Sequence, residues 1–429
     1  MLRRLAVISA LLGVAFAALP ARSARRPRYG GTLRVEMGAS LASLDPAGAG
    51  SSPEEVAALA QIGPLVFEHW GAVDTPVGAA GSGAFRVTSW EAGKRAVFAA
   101  NEEFREGRPF VDSIEIVMGR AAHERLVDLE LSKTDLTEIA PQDARRAAEQ
   151  GVRVSASQPD ELLALVFVEH DAPRTSSSIA SGNAAGRAGG RASGRPLAPA
   201  KEEVMGQALS LAIDRVAIVN FILQKTGEPA GGLLPQWSSG TAFLFPAAAP
   251  SAADLEHAKE LSKEIAAAGP LVLGYDSADP LEQSVAERIV VNAKEAGMSV
   301  RAQAIPGAGG GAEKSRSAAL QAGHVDMELV RWRMTSPLPG EALMDFLSRI
   351  YAGPLAGIEA GALPETASPE DNYKQQRAVL STYRVVPLVW LPQVYGLSAR
   401  VRDWKAPVPG ENWPLADVWL DTETPTGVQ

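Results

Sequence analysis

Apolar residues in the second half of the chain recur at three- and four-residue intervals, as they do on the buried face of a helix. Residues 202–223, 251–268 and 279–297 show this spacing, which predicts three amphipathic helices. Short apolar runs at 271–275 and 325–332 predict strands. Helices that alternate with strands in this way indicate an α/β lobe built on a mostly parallel sheet.

The first half of the chain alternates apolar and polar residues, which is the period of a half-buried strand. Residues 29–37, 81–99 and 113–118 carry this pattern, and the turn residues within 81–99 predict a hairpin. Two uninterrupted apolar stretches, at 162–168 and 385–390, also predict strands, and the first is typical of a strand buried on both faces.

Residues 1–24 and 171–200 differ in composition from the rest of the chain. Residues 1–24 begin with Arg3 and Arg4, continue as an apolar run and end in small residues, which predicts a cleaved secretory signal peptide. Residues 171–200 are rich in Ser, Ala, Gly and Arg and nearly lack large apolar residues, which favours a flexible insertion. An alternative for this insertion is a basic docking arm for an acidic partner or a membrane surface.

Composition narrows the function classes. The 429 residues are too many for one ordinary core, and the formal charge of -9 argues against nucleic-acid binding. The absence of cysteine excludes disulfides, thiolate metal sites and a lipid-bearing cysteine. The five histidines lack metal-pair spacing, and neither a nucleophile elbow nor a phosphate-loop motif occurs. We therefore expect a secreted periplasmic protein with no lipid anchor, cofactor, metal site or enzymatic activity.

Several segments resemble one family, and they follow in the same order. They are the opening at 29–36 (YGGTLRVE), the loop 44–46 (LDP), the hairpin region 76–94, the helix at 208–215 (ALSLAIDR) and the strand at 387–391 (PLVWL). Together they resemble the extracytoplasmic solute-binding proteins of the oligopeptide, dipeptide and nickel type (family 5), which serve ATP-driven importers.

The resemblance implies an α/β, two-lobed periplasmic-binding-protein fold with mixed sheets, a hinge and a cleft between the lobes. Residues 162–168 are expected to cross between the lobes, and 385–391 to help return the chain. Members usually carry a longer segment before the hairpin, so the first lobe is expected to be shortened. The expected organisation is a signal peptide at 1–24, an N-terminal lobe at 25–170 with its hairpin at 76–118, a flexible insertion at 171–200, a second α/β lobe at 201–384 and a C-terminal return to the first lobe at 385–429.

The function implied by the resemblance is that of a monomer that captures a peptide-like or other small solute and delivers it to the membrane permease of an ABC importer. Peptide-binding members place an acid after the strand that corresponds to 325–332, where it pairs with the amino group of the ligand. This chain has 334–338 (MTSPL) there. Glu341 or Asp345 would substitute only if the following helix brings them round.

The candidate ligand-binding residues lie where predicted strands and loops end. They are Asp45, Trp237, Tyr275, Asp276, Arg331, Trp332, Arg333, Glu341 and Asp345. Arginines that face the cleft would favour a ligand with a carboxylate or another anion. The alternative for Trp237 and Trp332 is core packing, and the alternative for Arg331 and Arg333 is a solvated surface.

Three other functions stay open from the sequence. The chain could be a degenerate family member that acts as a sensor or interaction protein without transport, which the short first lobe and the insertion favour. It could be a secreted hydrolase, which would need a nucleophile and a base that the motif search does not find. It could carry a metal chelate, as the nickel branch does, although the scattered histidines give this little support.

Overall fold

The computed structural model describes most of the chain in eight ranges. These are residues 26–44, 53–66, 82–168, 199–265, 270–306, 325–352, 368–408 and 412–421. The predicted signal peptide at 1–24 lies outside them, and so does the predicted insertion at 171–200 except for its last two residues, which begin a helix.

The secondary structure is mixed, with helices between most of the strands. The strands are β1 (Thr32–Glu36), β2 (Phe85–Glu91), β3 (Arg95–Ala100), β4 (Ser113–Val117), β5 (Leu136–Ile139), β6 (Arg153–Phe167), β7 (Glu228–Pro229), β8 (Leu271–Asp276), β9 (Val300–Ile305), β10 (Met327–Arg333), β11 (Val385–Leu397), β12 (Val401–Arg402) and β13 (Trp419–Leu420). The helices are α1 (Pro53–Val66), α2 (Ala122–Glu130), α3 (Ala144–Glu149), α4 (Pro199–Ala212), α5 (Arg215–Ala217), α6 (Gln236–Ser239), α7 (Ala252–Ile265), α8 (Pro280–Glu295), α9 (Pro339–Ala352) and α10 (Pro369–Leu380).

One eleven-stranded sheet runs through both lobes. Its order is β2-β3-β4-β1-β5-β11-β6-β10-β8-β9, and β7 pairs with β11. The strands at one end of this order, β2, β3, β4, β1 and β5, belong to the first lobe. The strands at the other end, β10, β8 and β9, belong to the second. The two lobes are therefore joined in this sheet by the central antiparallel pair β6 and β11.

The two central strands are long enough to belong to both lobes. Their far ends pair at Arg153 and Leu397 beside β5, and their near ends pair at Val166 and Val385 beside β10. Between these ends Pro159 lies opposite Pro392, and the register shifts on both sides of Pro392. Because proline donates no backbone hydrogen bond, the ladder is interrupted where the chain passes from one lobe to the other.

Apolar residues of β6 pack on both faces of the sheet in the second lobe. Leu163, Leu165 and Phe167 join one core with α4 and α8, whereas Leu162 and Val166 join a second core with α9. Successive strand residues point to opposite faces, so an uninterrupted apolar run fills two cores. The prediction that 162–168 is a strand buried on both faces is confirmed.

The predicted helix over 202–223 is wrong in its continuity. It ends as α4 at Ala212, bends by 54°, and resumes as α5 and a π-helical turn at Ile218–Ile222. The Asp214 carboxylate accepts a hydrogen bond from the backbone N–H of Ala217 at 2.8 Å, which starts a new helix there. No single described helix has the length and apolar character to cross a membrane. The two parts of this bent pair are together long and apolar enough, but many of their residues pack in the core of the second lobe.

Two strands are longer than the sequence predicted, and a third strand was not predicted. The strand predicted at 162–168 begins at Arg153, and the one predicted at 385–390 extends to Leu397. The strand β5 was not predicted at all. The extra segments are polar or short, and their pairing depends on partners far away in the chain.

Candidate functional site

The crossing of β6 and β11 places polar side chains beside the two prolines. Asp160 follows Pro159 on β6, and Gln393 follows Pro392 on β11. The Gln393 amide donates a hydrogen bond to the Asp160 carboxylate, and the Tyr395 hydroxyl donates to Gln393 Oε1 at 2.6 Å. A side-chain hydrogen bond therefore joins the two strands where their backbone ladder is interrupted.

Asp160 is fully buried, and burial raises its pKa to about 7. The charge of Arg333 and the Gln393 hydrogen bond lower this pKa without offsetting the burial, while Glu161 and Glu138 raise it. Its Oδ1 has no hydrogen-bond partner among the residues that the structure describes. The carboxyl group of Asp160 therefore changes its charge near neutral pH, unlike that of an exposed aspartate.

A network of four charged side chains lies next to Asp160, and we call it the crossing network: Glu161, Asp279, Arg331 and Arg333. Arg331 Nη2 donates to Glu161 Oε2 at 2.8 Å, and Arg331 Nη1 donates to Asp279 Oδ2 at 2.7 Å. Arg333 Nη2 is 3.6 Å from the same Glu161 oxygen. Strands β6 and β10 and the start of α8 are thus joined by charge.

The carboxylate of Asp279 is fixed by the helix that it caps. Its Oδ1 accepts hydrogen bonds from the backbone N–H groups of Leu281 and Glu282 at 2.8 and 3.3 Å, while its Oδ2 binds Arg331. Glu282 in the first turn is itself buried, and this burial raises its pKa to about 7. Asp279 is therefore an anchored partner that holds one side of the Arg331 guanidinium.

Both arginines of the crossing network are partly exposed and lie beside several acids. Burial, which lowers the pKa, is the largest single influence on each, yet Glu161 and other acids raise both pKa values above the ordinary range. Even so, the Arg331 and Arg333 side chains keep 29% and 31% of their surface accessible. Within the described ranges, Nε of each arginine has no hydrogen-bond partner.

Trp237 packs against the crossing from the second lobe. Its indole Nε1 donates a hydrogen bond to the carbonyl oxygen of Pro159 at 2.7 Å. The ring is half-buried and packs on the core that contains Trp390. The short helix α6, which carries Trp237, is therefore tied to β6 beside the interruption in the ladder.

Trp332 and Tyr275 pack with the cores, and Asp276 lies in the turn that leads to Asp279, whose backbone N–H donates to the Asp276 carbonyl oxygen at 3.1 Å. Trp332 is 8% exposed and packs against Phe346, with ring centroids 6.1 Å apart. Tyr275 is half-buried at the end of β8 and packs on the first of the two second-lobe cores. Asp276 forms the next turn, where its Oδ1 accepts from the backbone N–H of Ala278 at 2.7 Å.

The two acids on α9 are used by the loop that precedes this helix. Ser336 Oγ donates to Glu341 Oε2 at 2.5 Å, and Thr335 Oγ1 donates to Asp345 Oδ2 at 3.2 Å. Asp45, the remaining candidate, lies outside the described residues.

Sequence reasoning missed Asp160, Glu161 and Gln393. A signal was present, because an Asp-Glu pair stands directly before the apolar run at 162–168. Burying such charges is costly unless they are paired, so their position predicts partners elsewhere in the chain. The sequence did not show that the partners are Arg331 and a glutamine on β11.

A shallow depression elsewhere on the first lobe is a weaker candidate. It is lined by Tyr29, Gly30, Arg108 and Asp112 at the amino ends of β1 and β4. Arg108 Nη2 already donates to Asp112 Oδ1 at 2.6 Å. Among the described residues, no group of three or more His, Asp or Glu side chains is arranged to hold a metal ion. The crossing network is therefore the better candidate site.

Comparison with known families decides the identity of the fold. The model of bacterial extracellular solute-binding proteins, family 5 (middle), matches residues 44–351. The chain belongs to the family 5 extracellular solute-binding proteins. The matched range contains all four residues of the crossing network, so the network lies within the region that defines the family 5 proteins.

Solved structures of two-lobed binding proteins share the fold of this family 5 chain. DppA from Helicobacter pylori, in complex with the peptide STSA, has 12% identity and a TM-score of 0.61, and the match covers 92% of this chain and 99% of that one. NikA from Brucella suis, in complex with Fe(III)-EDTA, has 17% identity and a TM-score of 0.57, with 83% and 72% covered.

In a third solved structure the match covers a smaller share of both chains. CtaP from Listeria monocytogenes, an ABC transporter substrate-binding protein, has 15% identity and a TM-score of 0.57, with 79% of this chain and 67% of that chain covered. At such identities the likeness establishes the fold alone. No curated protein matches the chain.

Proposed function

We propose that this protein captures a small solute beside the crossing strands, at the partly exposed Arg331 and Arg333, and delivers it to the membrane permease of an ABC importer. The observation that carries the proposal is the crossing network itself. It combines partly exposed arginines with the only two strands that join the lobes in the described sheet. Family membership supports a non-catalytic, extracytoplasmic role.

Pro159 and Pro392 provide the hinge of the proposed capture. Their opposed positions interrupt the ladder between the lobes, so rotation there breaks few backbone hydrogen bonds. A ligand closes such a hinge only by binding the closed state more tightly. A shift from mostly open to mostly closed requires about 5.5 kcal/mol of differential affinity.

Arg333 is the residue that we assign to the ligand. The guanidinium of Arg331 is already divided between Glu161 and Asp279, whereas Arg333 reaches Glu161 only at 3.6 Å. An accessible guanidinium with unused donors binds a carboxylate through two parallel hydrogen bonds. The proposed solute therefore carries a carboxylate or a similar anion, which includes short peptides.

The proposal is tested by native mass spectrometry of the purified protein and by thermal shift against short peptides and organic acids. We expect a carboxylate-bearing solute to raise Tm, because it binds the folded state alone. Arg333→Gln should weaken Kd by about tenfold or more, since a charge-assisted hydrogen bond contributes roughly 1.5–3 kcal/mol.

The matched control is Arg301→Gln, on the exposed edge strand β9, whose guanidinium contacts Gln303 at 3.0 Å. This variant should bind as the unaltered protein does. A protein that is consistently empty and shows no thermal shift with any probe would contradict transport and favour a sensor or interaction role.

A further inference from the structure

Asp160 is a buried acid that lies between Pro159 of the crossing and Arg333, the arginine that we assign to the solute. Its backbone carbonyl accepts a hydrogen bond from the N–H of Met334 at 2.8 Å, which places it beside Arg333 on β10. Asp160 is fully buried, whereas the Arg333 side chain keeps 31% of its surface accessible. A change of charge at Asp160 therefore acts on a guanidinium that is in contact with solvent.

Charged and polar groups from four strands interact with the Asp160 carboxyl group. They are Glu161 on β6, Glu138 on β5, Arg333 on β10, and Gln393 and Tyr395 on β11. Apart from burial, the charge of Arg333 has the largest influence and lowers the pKa of Asp160, whereas the two glutamates raise it. The proton affinity of Asp160 therefore depends on how much of the Arg333 charge it receives.

Arg333 faces three acids, which are Glu161, Glu138 and Asp160. Burial would raise the pKa of Glu161, but the arginines of the crossing network hold that pKa below the ordinary value, so Glu161 stays ionised. An anion that approaches Arg333 adds another negative charge to this cluster. Because Asp160 is the acid whose buried carboxyl group is close to neutrality at pH 7, it is the group that responds by taking up a proton from solvent.

We propose that capture of an anionic solute at Arg333 is coupled to the uptake of one proton by Asp160. This inference rests on the proposed function and assigns the regulation of the same site. Ionised Asp160 competes with the solute for the charge of Arg333, whereas protonated Asp160 leaves that charge to the solute. The solute therefore binds more tightly at low pH and is released as the pH rises.

The coupling is tested first without solute, by following the titration midpoint of the Asp160 carboxyl carbon with ¹³C NMR. The signal is assigned by its loss in Asp160→Asn. Arg333→Gln should raise the midpoint by about one pH unit or more, because it removes the cation, whereas Glu161→Gln should lower the midpoint. Unchanged midpoints, or shifts in the same direction in both variants, would overturn the proposal.

Two further variants separate charge from packing in this experiment. Arg333→Lys keeps the cation, so its midpoint should stay near that of the unaltered protein. Glu149→Gln removes an exposed acid that is paired with Arg145, outside the cluster, and should leave the midpoint unchanged. A midpoint in Arg333→Lys as high as that in Arg333→Gln would show that packing sets the midpoint, which would overturn the proposal.

The coupling to an anion is tested with acetate as the probe, at constant ionic strength and with chloride as the reference. Acetate should raise the Asp160 midpoint, because proton and anion binding are reciprocally linked, and Arg333→Gln should abolish the increase. The Kd for acetate should rise about fivefold or more from pH 6 to pH 8. An unchanged midpoint in acetate would contradict the coupling.

A second acid is examined in the same titration. Glu282 lies in the first turn of α8, next to Asp279, and its pKa is also raised to about 7 by burial. Asp160→Asn should remove the pH dependence of the acetate Kd, and Glu282→Gln should keep it. The reverse result would place the proton on α8 and would overturn the assignment to Asp160.

The midpoints measured without solute separate this inference from the transport proposal. If no peptide or organic acid binds, the proposed function fails, but the effects of Arg333→Gln and Glu161→Gln on Asp160 are still measured. If those midpoints do not respond to the charge at Arg333, the proton coupling fails while solute capture remains possible.

Discussion

Two carboxylates in this molecule each lie between two arginines, and they are used differently. Asp135 lies between Arg34 and Arg400 in the first lobe. Glu161 lies between Arg331 and Arg333 at the crossing. The residue types are alike, so the difference arises from the number and completeness of the hydrogen bonds.

Asp135 is bonded on both oxygens. It accepts from Arg34 Nε at 2.9 Å and Nη2 at 3.1 Å, from Arg400 Nε at 2.7 Å and Nη2 at 2.6 Å, and from Ser398 Oγ at 3.0 Å. Its side chain is 0% exposed. Burial would raise its pKa, but the bonds from Arg400 and Arg34 keep the pKa below the ordinary value. Both oxygens of this carboxylate are hydrogen-bonded, so its role is structural, and we call it the saturated clasp.

Among the residues that the structure describes, Glu161 is bonded to the arginines through one oxygen, Oε2. Its arginine distances are 2.8 and 3.6 Å, and both guanidinium Nε atoms lack partners there. In the proposed function the partly exposed, unsaturated pair at the crossing binds the ligand, whereas the saturated pair at Asp135 holds strands together.

The largest expected effect is a loss of stability when the saturated clasp at Asp135 is removed. Asp135→Asn should lower the free energy of unfolding by about 3–5 kcal/mol, because two arginines lose a shared buried carboxylate. Urea denaturation measures this loss. Glu149→Gln, which breaks an exposed pair with Arg145, should cost less than about 1 kcal/mol. Similar losses in the two variants would show that Asp135 is not a clasp.

The second-largest expected effect is on the pH dependence of stability, which has opposite signs for Asp160 at the crossing and Asp135 in the first lobe. Asp160 has a folded pKa of about 7 against an ordinary value of 3.8, so the folded state binds the proton more tightly. Stability therefore falls as pH rises from about 4 to 7, by roughly 2–4 kcal/mol. Asp135, whose pKa is lowered, contributes stability that is lost only as the pH falls through its folded pKa.

Asp160→Asn should remove most of this decline and raise Tm at pH 8 relative to the unaltered protein. Glu282 also has a pKa raised to about 7, so Asp160→Asn should keep a residual slope of the same sign. Adding Glu282→Gln should flatten that residual slope. Denaturation between pH 4 and 8 measures both changes, and an unchanged slope in the double variant would contradict the assignment.

A smaller effect is expected at the incomplete pair. Glu161→Gln should cost about 1–3 kcal/mol, less than Asp135→Asn, because Arg331 keeps its bond to Asp279. The same substitution should change solute affinity, since Arg333 loses its nearest fixed acid. Calorimetric titration and urea denaturation on one preparation measure the two effects. A stability loss as large as that of Asp135→Asn would remove the distinction between the regions.

The smallest effect is expected from Trp237→Phe. Phenylalanine keeps the ring against the core but loses the 2.7 Å hydrogen bond to the Pro159 carbonyl. A single buried hydrogen bond contributes about 1 kcal/mol. Thermal denaturation should show a loss of that size, and no loss would mean that the indole bond does not hold the crossing.

Much of the second lobe was predictable, because its apolar spacing is local. The helix predicted at 279–297 appears as α8, and the run at 162–168 appears inside β6 as a strand buried on both faces. Arg331 and Arg333 were also expected to lie near the ends of strands. Periodicity within a single segment carries all of this information.

The binding partners of these arginines were not predictable in the same way. Glu161 and Arg331 are 170 positions apart, and Asp160 and Gln393 are 233 apart. The polar stretch before Leu162 gives no apolar signal, so its pairing with β11 is decided by tertiary contacts. Asp279 was recognisable as the start of a helix. The hydrogen bond that its second carboxylate oxygen accepts from Arg331 was not predictable.

The position of β11 in the sheet also sets the order in which the molecule can be completed during synthesis. Val385–Leu397 is made late, yet it lies between β5 and β6 in the middle of the sheet. Until residue 397 has emerged, both neighbours present open edges, which are the usual sites of aggregation. A chain that stops before Val385 therefore lacks a central strand of its sheet, and not only a terminal segment outside the sheet.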